Sequence, residues 1–242
     1  MTKLIYGEVY RILHKKSMYI YFGALAVGYI FITFIRSGGF NDESAVKDAA
    51  ALFSFFPALA GGFLFSSVFT DDLNSKNLIT LVGFGINKIK IIIAKFIIAV
   101  LFGAVLFGIL PLFHFALYAV FSSAASASQT AMLFALSFKF LLMTLAYCAI
   151  SGIVVFGSQR TTFAIVTYIL FSFSVIGTLI TAAGNMLGLN LYSYLLPGVT
   201  DRILAGLVGG SSIILPIIQY SAYVLIAIIL SALAFNKKEM EF

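Results

Sequence analysis

Charge is scarce in this chain: 10% of its 242 residues are Asp, Glu, Lys or Arg, against 62% hydrophobic. Soluble domains carry roughly a quarter charged residues and about half apolar ones. A water-soluble fold is therefore excluded, and the mean hydropathy of +1.09 makes lipid the main solvent. Cysteine is limited to Cys148, inside an apolar run, so no internal disulfide can form and the thiol is expected to be a small buried apolar group. No Gly-x-x-x-x-Gly-Lys-Ser/Thr occurs, which removes a phosphate-cradling loop of that kind. No His-Glu-x-x-His occurs either, and His14 and His114 lie far apart on different elements, so no metal site and no metal-dependent protease are expected. A hydrolase would also need a nucleophile-and-base pair, and none is evident. Every acid is expected in a loop, a tail or a surface helix, which counts against a proton- or sodium-coupled carrier. The chain has no visible internal repeat.

What remains is an all-α, polytopic membrane protein. Residues 1–17 form one unit: Leu4, Ile5, Val9, Ile12 and Leu13 recur at helical spacing, with Lys3, Glu8, Arg11, Lys15 and Lys16 opposite. Such a helix lies in the membrane interface with its basic face towards anionic headgroups. Glu8 and Arg11, three apart, can pair. Residues 18–242 form a single transmembrane domain of six spans, at about 18–35, 49–69, 91–121, 131–156, 162–183 and 213–235. The first is read as a retained span, because its basic flank has no credible cleavage site. Pro57 should kink the second, and the third, too long for one crossing, must tilt, break near Pro111 or project.

Basic residues set the orientation. With the N-terminus inside, Lys3, Arg11, Lys15, Lys16, Lys76, Lys88, Lys90, Lys95, Arg160, Lys237 and Lys238 are cytosolic, against Arg36, Lys47 and Arg202 outside. That bias places both termini in the cytoplasm. The net charge of +6 is thus topological, and nucleic acid is not an expected partner. Between spans five and six, Gly184–Gly210 is too broken to cross and too apolar to be a solvated loop, so a re-entrant or surface-lying outer helical segment is expected.

One short segment stands out from this apolar background. Asp71-Asp72 can cap a helix running to Val82, whose Leu73, Leu78, Leu81 and Val82 make an apolar stripe beside Lys76 and Asn77. Gly83 and Gly85 then let the chain reverse before Lys88. A partner's groove could take that stripe; the plainer reading is a connector lying on the membrane. Two polar residues sit within apolar runs. Lys139 is expected to snorkel and His114 to be a hydrogen-bonded interfacial residue, with contacts along a pathway as the alternative for both.

In this order, these features resemble the permease subunits of ABC-2 type ATP-binding cassette transporters, over nearly the whole chain. The carriers are the Glu8/Arg11 helix, Asp71-Asp72, Lys76-Asn77-Leu78, Gly85-Ile86-Asn87-Lys88, Lys95 opening the third span, the broken outer segment, and the charged exit Phe235-Asn236-Lys237-Lys238-Glu239. Relatives often carry glutamate where Asp71-Asp72 stands. The resemblance implies that Asp71, Asp72, Leu73, Lys76, Asn77, Leu78, Leu81 and Val82 couple to a separate cytosolic ABC ATPase subunit. That partner would bind the ATP and Mg; this chain would hold no cofactor and perform no chemistry. It further implies a second permease subunit, homo- or heterodimeric, in a bacterial plasma membrane. Ala24/Gly28 and Ala104/Gly108 are small enough for close approach, within the subunit or between two. The small size resembles permeases that export, or confer immunity to, peptide antibiotics. A non-transporting immunity or anchor protein and a secondary carrier are the rival readings.

Overall fold

The computed structural model describes residues 1–36, 45–74, 77–121 and 127–237, and among them every regular element is helical. By length and composition four helices can cross a membrane: Lys16–Ile35, Lys88–Val120, Gln129–Ser158 and Ile214–Lys237. A bent pair, Thr161–Ser172 and Val175–Met186, would make a fifth. In chain order the elements are α1 (Thr2–Leu13), α2 (Lys16–Arg36), α3 (Ala45–Phe53), α4 (Ala60–Phe65), a π turn (Ser66–Thr70), α5 (Asp71–Asn74) and α6 (Asn77–Gly83). There follow α7 (Lys88–Phe121), α8 (Ala127–Ser158), α9 (Thr161–Ser172), α10 (Val175–Met186), a 3-10 turn (Tyr192–Tyr194), α11 (Leu196–Gly209) and α12 (Ile214–Lys237).

The segment expected as one kinked second span is two helices. Pro57 has no N–H and its ring clashes with the carbonyl four residues back, so α3 ends at Phe53 and tight turns carry the chain to α4. In lipid the carbonyls freed by such a break need donors. Tyr168 Oη supplies one to Pro57 O at 2.6 Å; Tyr21 Oη adds a bond of 2.9 Å to Leu59 O, which already accepts from Phe63 N. From Ala60 the helix runs through the π turn into α5 without leaving helical backbone, since Ser66 and Asp71 both keep right-handed φ and ψ.

Pro111 acts differently. The 34-residue α7, about 51 Å long, passes through it unbroken. The carbonyl that Pro111 leaves without an intrahelical donor is that of Phe107, and the buried Ser137 hydroxyl of α8 donates to it. A neighbouring helix thus replaces the missing bond, and of the outcomes expected for this long segment the break is not taken. The segment expected as the fifth span does break. Ser174 adopts a left-handed φ of 57° between α9 and α10, which bend by 54°.

The core is built on α8, which packs against α7, α9, α11 and α12. Phe65 stacks on Tyr168 at 4.8 Å, Phe69 meets Phe96 at 5.3 Å, and Phe156 lies against Phe235 at 5.2 Å. These rings tie α4 and the π turn to α7, α8, α9 and α12. Cys148 is fully buried, as expected. Gly28 and Gly108, by contrast, have nothing within 4 Å of where a Cβ would stand among the described residues, so neither makes a close contact with them. Close approach is made instead at Gly61, where a Cβ would fall 2.3 Å from Tyr168 Oη. The Gly184–Gly210 segment forms the end of α10, the 3-10 turn and α11, which at 14 residues is about 21 Å long and too short to cross.

Candidate functional site

Local patterning brings α1 onto α7. Ile5, Glu8 and Ile12 share one face, and Glu8 and Ile12 are buried there. Glu8 therefore does not lie on a solvated polar face, because its spacing from Ile5 and Ile12 sets it inside the apolar stripe. It meets Lys95 of α7 at 3.0 Å. Lys95, 2% exposed, also holds Asp72, which is fully buried. Arg11 Nη2 lies 2.7 Å from Glu8 Oε2 and donates to the Ser67 carbonyl of the π turn at 3.0 Å. It also stands 3.2 Å from Asp72 Oδ1, an ion contact without hydrogen-bond alignment. Asp71, further out, pairs with Lys15 at 2.5 Å and lies 3.8 Å from Arg11.

Among the described residues three carboxylates (Glu8, Asp71, Asp72) thus face three cations (Arg11, Lys15, Lys95), and these charges balance. That balance is what allows the cluster to be buried, since each uncompensated charge would cost several kcal/mol of desolvation. Burial alone would raise the Glu8 carboxyl, but Lys95 and Arg11 outweigh it and hold Glu8 below its ordinary value. Burial likewise pulls the Arg11 guanidinium down, and Asp72, Glu8 and Asp71 more than restore it.

The capping role expected of Asp71 and Asp72 is not what these side chains do. They continue a helix already running from Ala60, so no free N–H awaits a cap, and their oxygens turn to cations on α1, α2's approach and α7. The stretch to Val82 is helical at Asp71–Asn74 and again at Asn77–Gly83, and residues 75 and 76 between them lie outside the described residues. Lys76 lies outside the described residues. The apolar stripe faces inward. Leu78 is 3% exposed, and Leu73, Leu81 and Val82 pack partly buried against the core. Of the expected docking residues, Asn77 is half-buried at the start of α6.

What this elbow, the α5–α6 segment and the turn leading into α7, does present outward is its tip. Phe84 is 81% exposed, flanked by exposed Gly83 and Gly85. Gly85 takes φ 76°, and the bonds Gly85 N to Val82 O and Ile86 N to Leu81 O close α6 as a Schellman motif. Of the two glycines expected to reverse the chain, Gly85 is the one whose conformation does so. Asn87 Oδ1 then accepts from Ile89 N at 2.9 Å and caps α7. Lys88 Nζ donates to Phe235 O at 3.0 Å, anchoring the elbow to the end of α12. Phe84 was legible as an aromatic inside Gly-Phe-Gly, a turn that cannot bury it; Lys95 was legible only as a basic residue opening a span.

The two polar residues within apolar runs are both partnered. α11 folds back on α8 and brings Asp201 Oδ1 to 2.5 Å from the Lys139 ammonium, which also lies 5.1 Å from the Phe140 ring. Tyr192 donates to the other Asp201 oxygen, and burial together with that bond pushes its phenol up to about 12. His114 is fully buried, with Nδ1 2.5 Å from Tyr29 Oη and its ring 4.7 Å from Tyr118. Tyr118 in turn donates to Asp48 at 3.4 Å. Asp48 and Asp72 are buried, so the expectation that all acids lie at the surface is corrected; cations and phenols on neighbouring helices are what admit them.

Comparison with protein-family models, with curated proteins and with solved structures returns no match to this chain.

Proposed function

We propose that the chain is the membrane-spanning permease subunit of an ABC-2 type transporter, in a bacterial plasma membrane with both termini in the cytoplasm. It contributes half of an export path, a second permease subunit the other half, and a separate ATPase subunit drives both. The second of six crossings is made by α3 together with α4, the π turn and α5; the fifth is the bent α9–α10 pair; and α11 is the outer re-entrant helix. The reading rests on the sequence resemblance and, above all, on one observation. Glu8 and Asp72 share Lys95 beneath an elbow whose aromatic tip is 81% exposed.

A lever of this kind suits an engine located in another polypeptide. Force applied at Phe84 moves α6, which is seated in the core by Leu78, and through α5 it reaches α7 by way of the Asp72–Lys95 pair. The π turn next to that pair is the sort of irregular turn that often marks functional sites in helices. ATP binding in the partner would favour one of two arrangements of the spans through its differential contacts with the elbow. The cargo class is amphipathic, with peptide antibiotics among its members.

The test is purification of the tagged, full-length chain from membranes of its own host. An ATPase subunit bearing a phosphate-binding loop is expected to copurify in stoichiometric amount. Recovery of the intact chain without one overturns the reading and favours the immunity or anchor alternative.

A further inference from the structure

The half of the fold away from the salt-bridge cluster contains two adjoining hollows. One, of about 370 Å³, is walled by Phe171, Ile180, Leu196, Ile226 and Leu230 together with Tyr147. The other, of about 470 Å³, is lined by Ser174, Thr178, Thr181 and Asn185. Ser174, Gly177, Leu195 and Pro197 border both, so the two adjoin. Neither lining includes a charged side chain among the described residues. The individual volumes fall within the roughly 300–1,000 Å³ of small-molecule sites.

The polar lining is organised. Positions 174, 178, 181 and 185 fall on one face along α10, giving a hydroxyl and amide stripe down an otherwise apolar helix. In lipid such a stripe is stable only against protein or against a space holding water or a polar ligand. Thr178 and Thr181 donate to the Val175 and Gly177 carbonyls at 2.8 Å, which leaves their oxygens as acceptors. Asn185 adds an amide that both donates and accepts. On the apolar side, Tyr147 is 1% exposed and its hydroxyl has no hydrogen-bond partner among the described residues; Ser174 approaches it without reaching bonding geometry.

We propose that this space binds an uncharged amphipathic molecule. Its hydrocarbon part occupies the Phe171–Leu230 chamber, and a polar part with both donors and acceptors, of the amide or sugar class, lies along the α10 stripe. That this ligand is exported cargo rests on the transporter reading; that the site binds it does not.

The experiment uses the purified full-length chain in phosphatidylcholine nanodiscs. Two diazirine probes with the same dodecyl chain are compared, one a glucoside and the other a phosphocholine, with labelled peptides identified by mass spectrometry. The glucoside is expected to label peptides containing Tyr147, Phe171 or Ile226 saturably, and the phosphocholine at least fivefold less. Gly177 borders both hollows and, among the described residues, has nothing within 4 Å of a Cβ, so Gly177→Leu adds bulk to the space. It is expected to cut labelling at least fivefold at an unchanged unfolding temperature. Asn185→Leu, on the polar stripe, is expected to weaken glucoside binding about two- to tenfold. Equal labelling by the phosphocholine, which marks an ordinary bilayer-lipid groove, overturns the proposal, as does unaltered labelling in both variants. Saturable glucoside labelling of a chain that brings down no ATPase sinks the transporter reading alone; an ATPase copurifying with a chain that is never labelled sinks this site alone.

Discussion

Asp71 and Asp72 are adjacent and chemically identical, yet their surroundings set them apart. The Asp72 side chain is fully buried against Lys95, whereas that of Asp71 keeps 23% of its exposure and pairs with Lys15 nearer the surface. Removing one partner of a buried pair leaves the other charge uncompensated, so Asp72→Ala should lower unfolding free energy by about 3–5 kcal/mol. The same change at Asp71 should cost about 0–1 kcal/mol. Denaturant titration of the two variants in one detergent checks the contrast, and equal losses would refute it. Glu8 adds a pH dependence whose sign follows from its lowered carboxyl. The unfolded chain takes up the proton first, near the ordinary value of 4.5, so the contribution is complete above that pH and is lost as pH falls through the lower folded value. Thermal unfolding should be flat in this respect at neutral pH and fall below about pH 4.5, and Glu8→Gln should remove part of the acid-side slope. Sequence alone offered Glu8 with Arg11 as a surface pair. That it also meets Lys95, 87 positions along the chain, depends on α1 docking on α7, which no local pattern encodes.

At the scale of the element, prolines alone do not decide where a helix breaks. Pro57 ends α3 and Pro111 leaves α7 whole. At Pro111 the Ser137 hydroxyl meets the one carbonyl set free. At Pro57 the Phe53 carbonyl is taken instead by Phe56 N at 3.1 Å in a tight turn, and Tyr168 donates to the Pro57 carbonyl. The Pro57 turn is also crowded: a Cβ on Gly61 would meet Tyr168 Oη at 2.3 Å and Thr144 Cγ2 at 2.7 Å, while one on Gly62 would sit at an ordinary 3.7 Å. Gly61→Ala should therefore destabilise by about 1–3 kcal/mol. Gly62→Ala should be neutral or stabilising by up to about 1 kcal/mol, through helix propensity. Thermal shifts of the matched pair decide it, and the idea fails if Gly61→Ala is as mild as Gly62→Ala. The long apolar runs made α2, α7, α8 and α12 legible to within a few residues. The break at Ser174 was not, because Phe-Ser carries no turn signal and the bend answers to packing. Nor was the inward turn of the Leu73–Val82 stripe: amphipathic spacing tells that one face is apolar, not whether that face meets its own core or another chain.

For the whole molecule, that ambiguity decides which residue can test the coupling proposal. Leu78 is part of the core, so a charge placed there would unfold the elbow, and a loss of transport would say nothing about a partner. Phe84 is the opposite case. It is 81% exposed and its removal leaves the Schellman bonds of Gly85 and Ile86 untouched, so Phe84→Asp should change unfolding free energy by no more than about 0.5 kcal/mol. An aromatic seated in a partner's pocket commonly contributes about 2 kcal/mol or more to binding. Replacing it with a carboxylate should thus weaken association with the ATPase subunit at least about thirtyfold. The chain should still insert, fold and, in nanodiscs, bind the alkyl glucoside as before, because the α8–α12 chamber has no contact with the elbow tip. The informative result is therefore a split: recovery of the ATPase lost, stability and ligand labelling kept. If Phe84→Asp retains the ATPase in full, the tip is not the contact, and force would have to enter the bundle through some surface other than the one joined to Lys95 by Asp72.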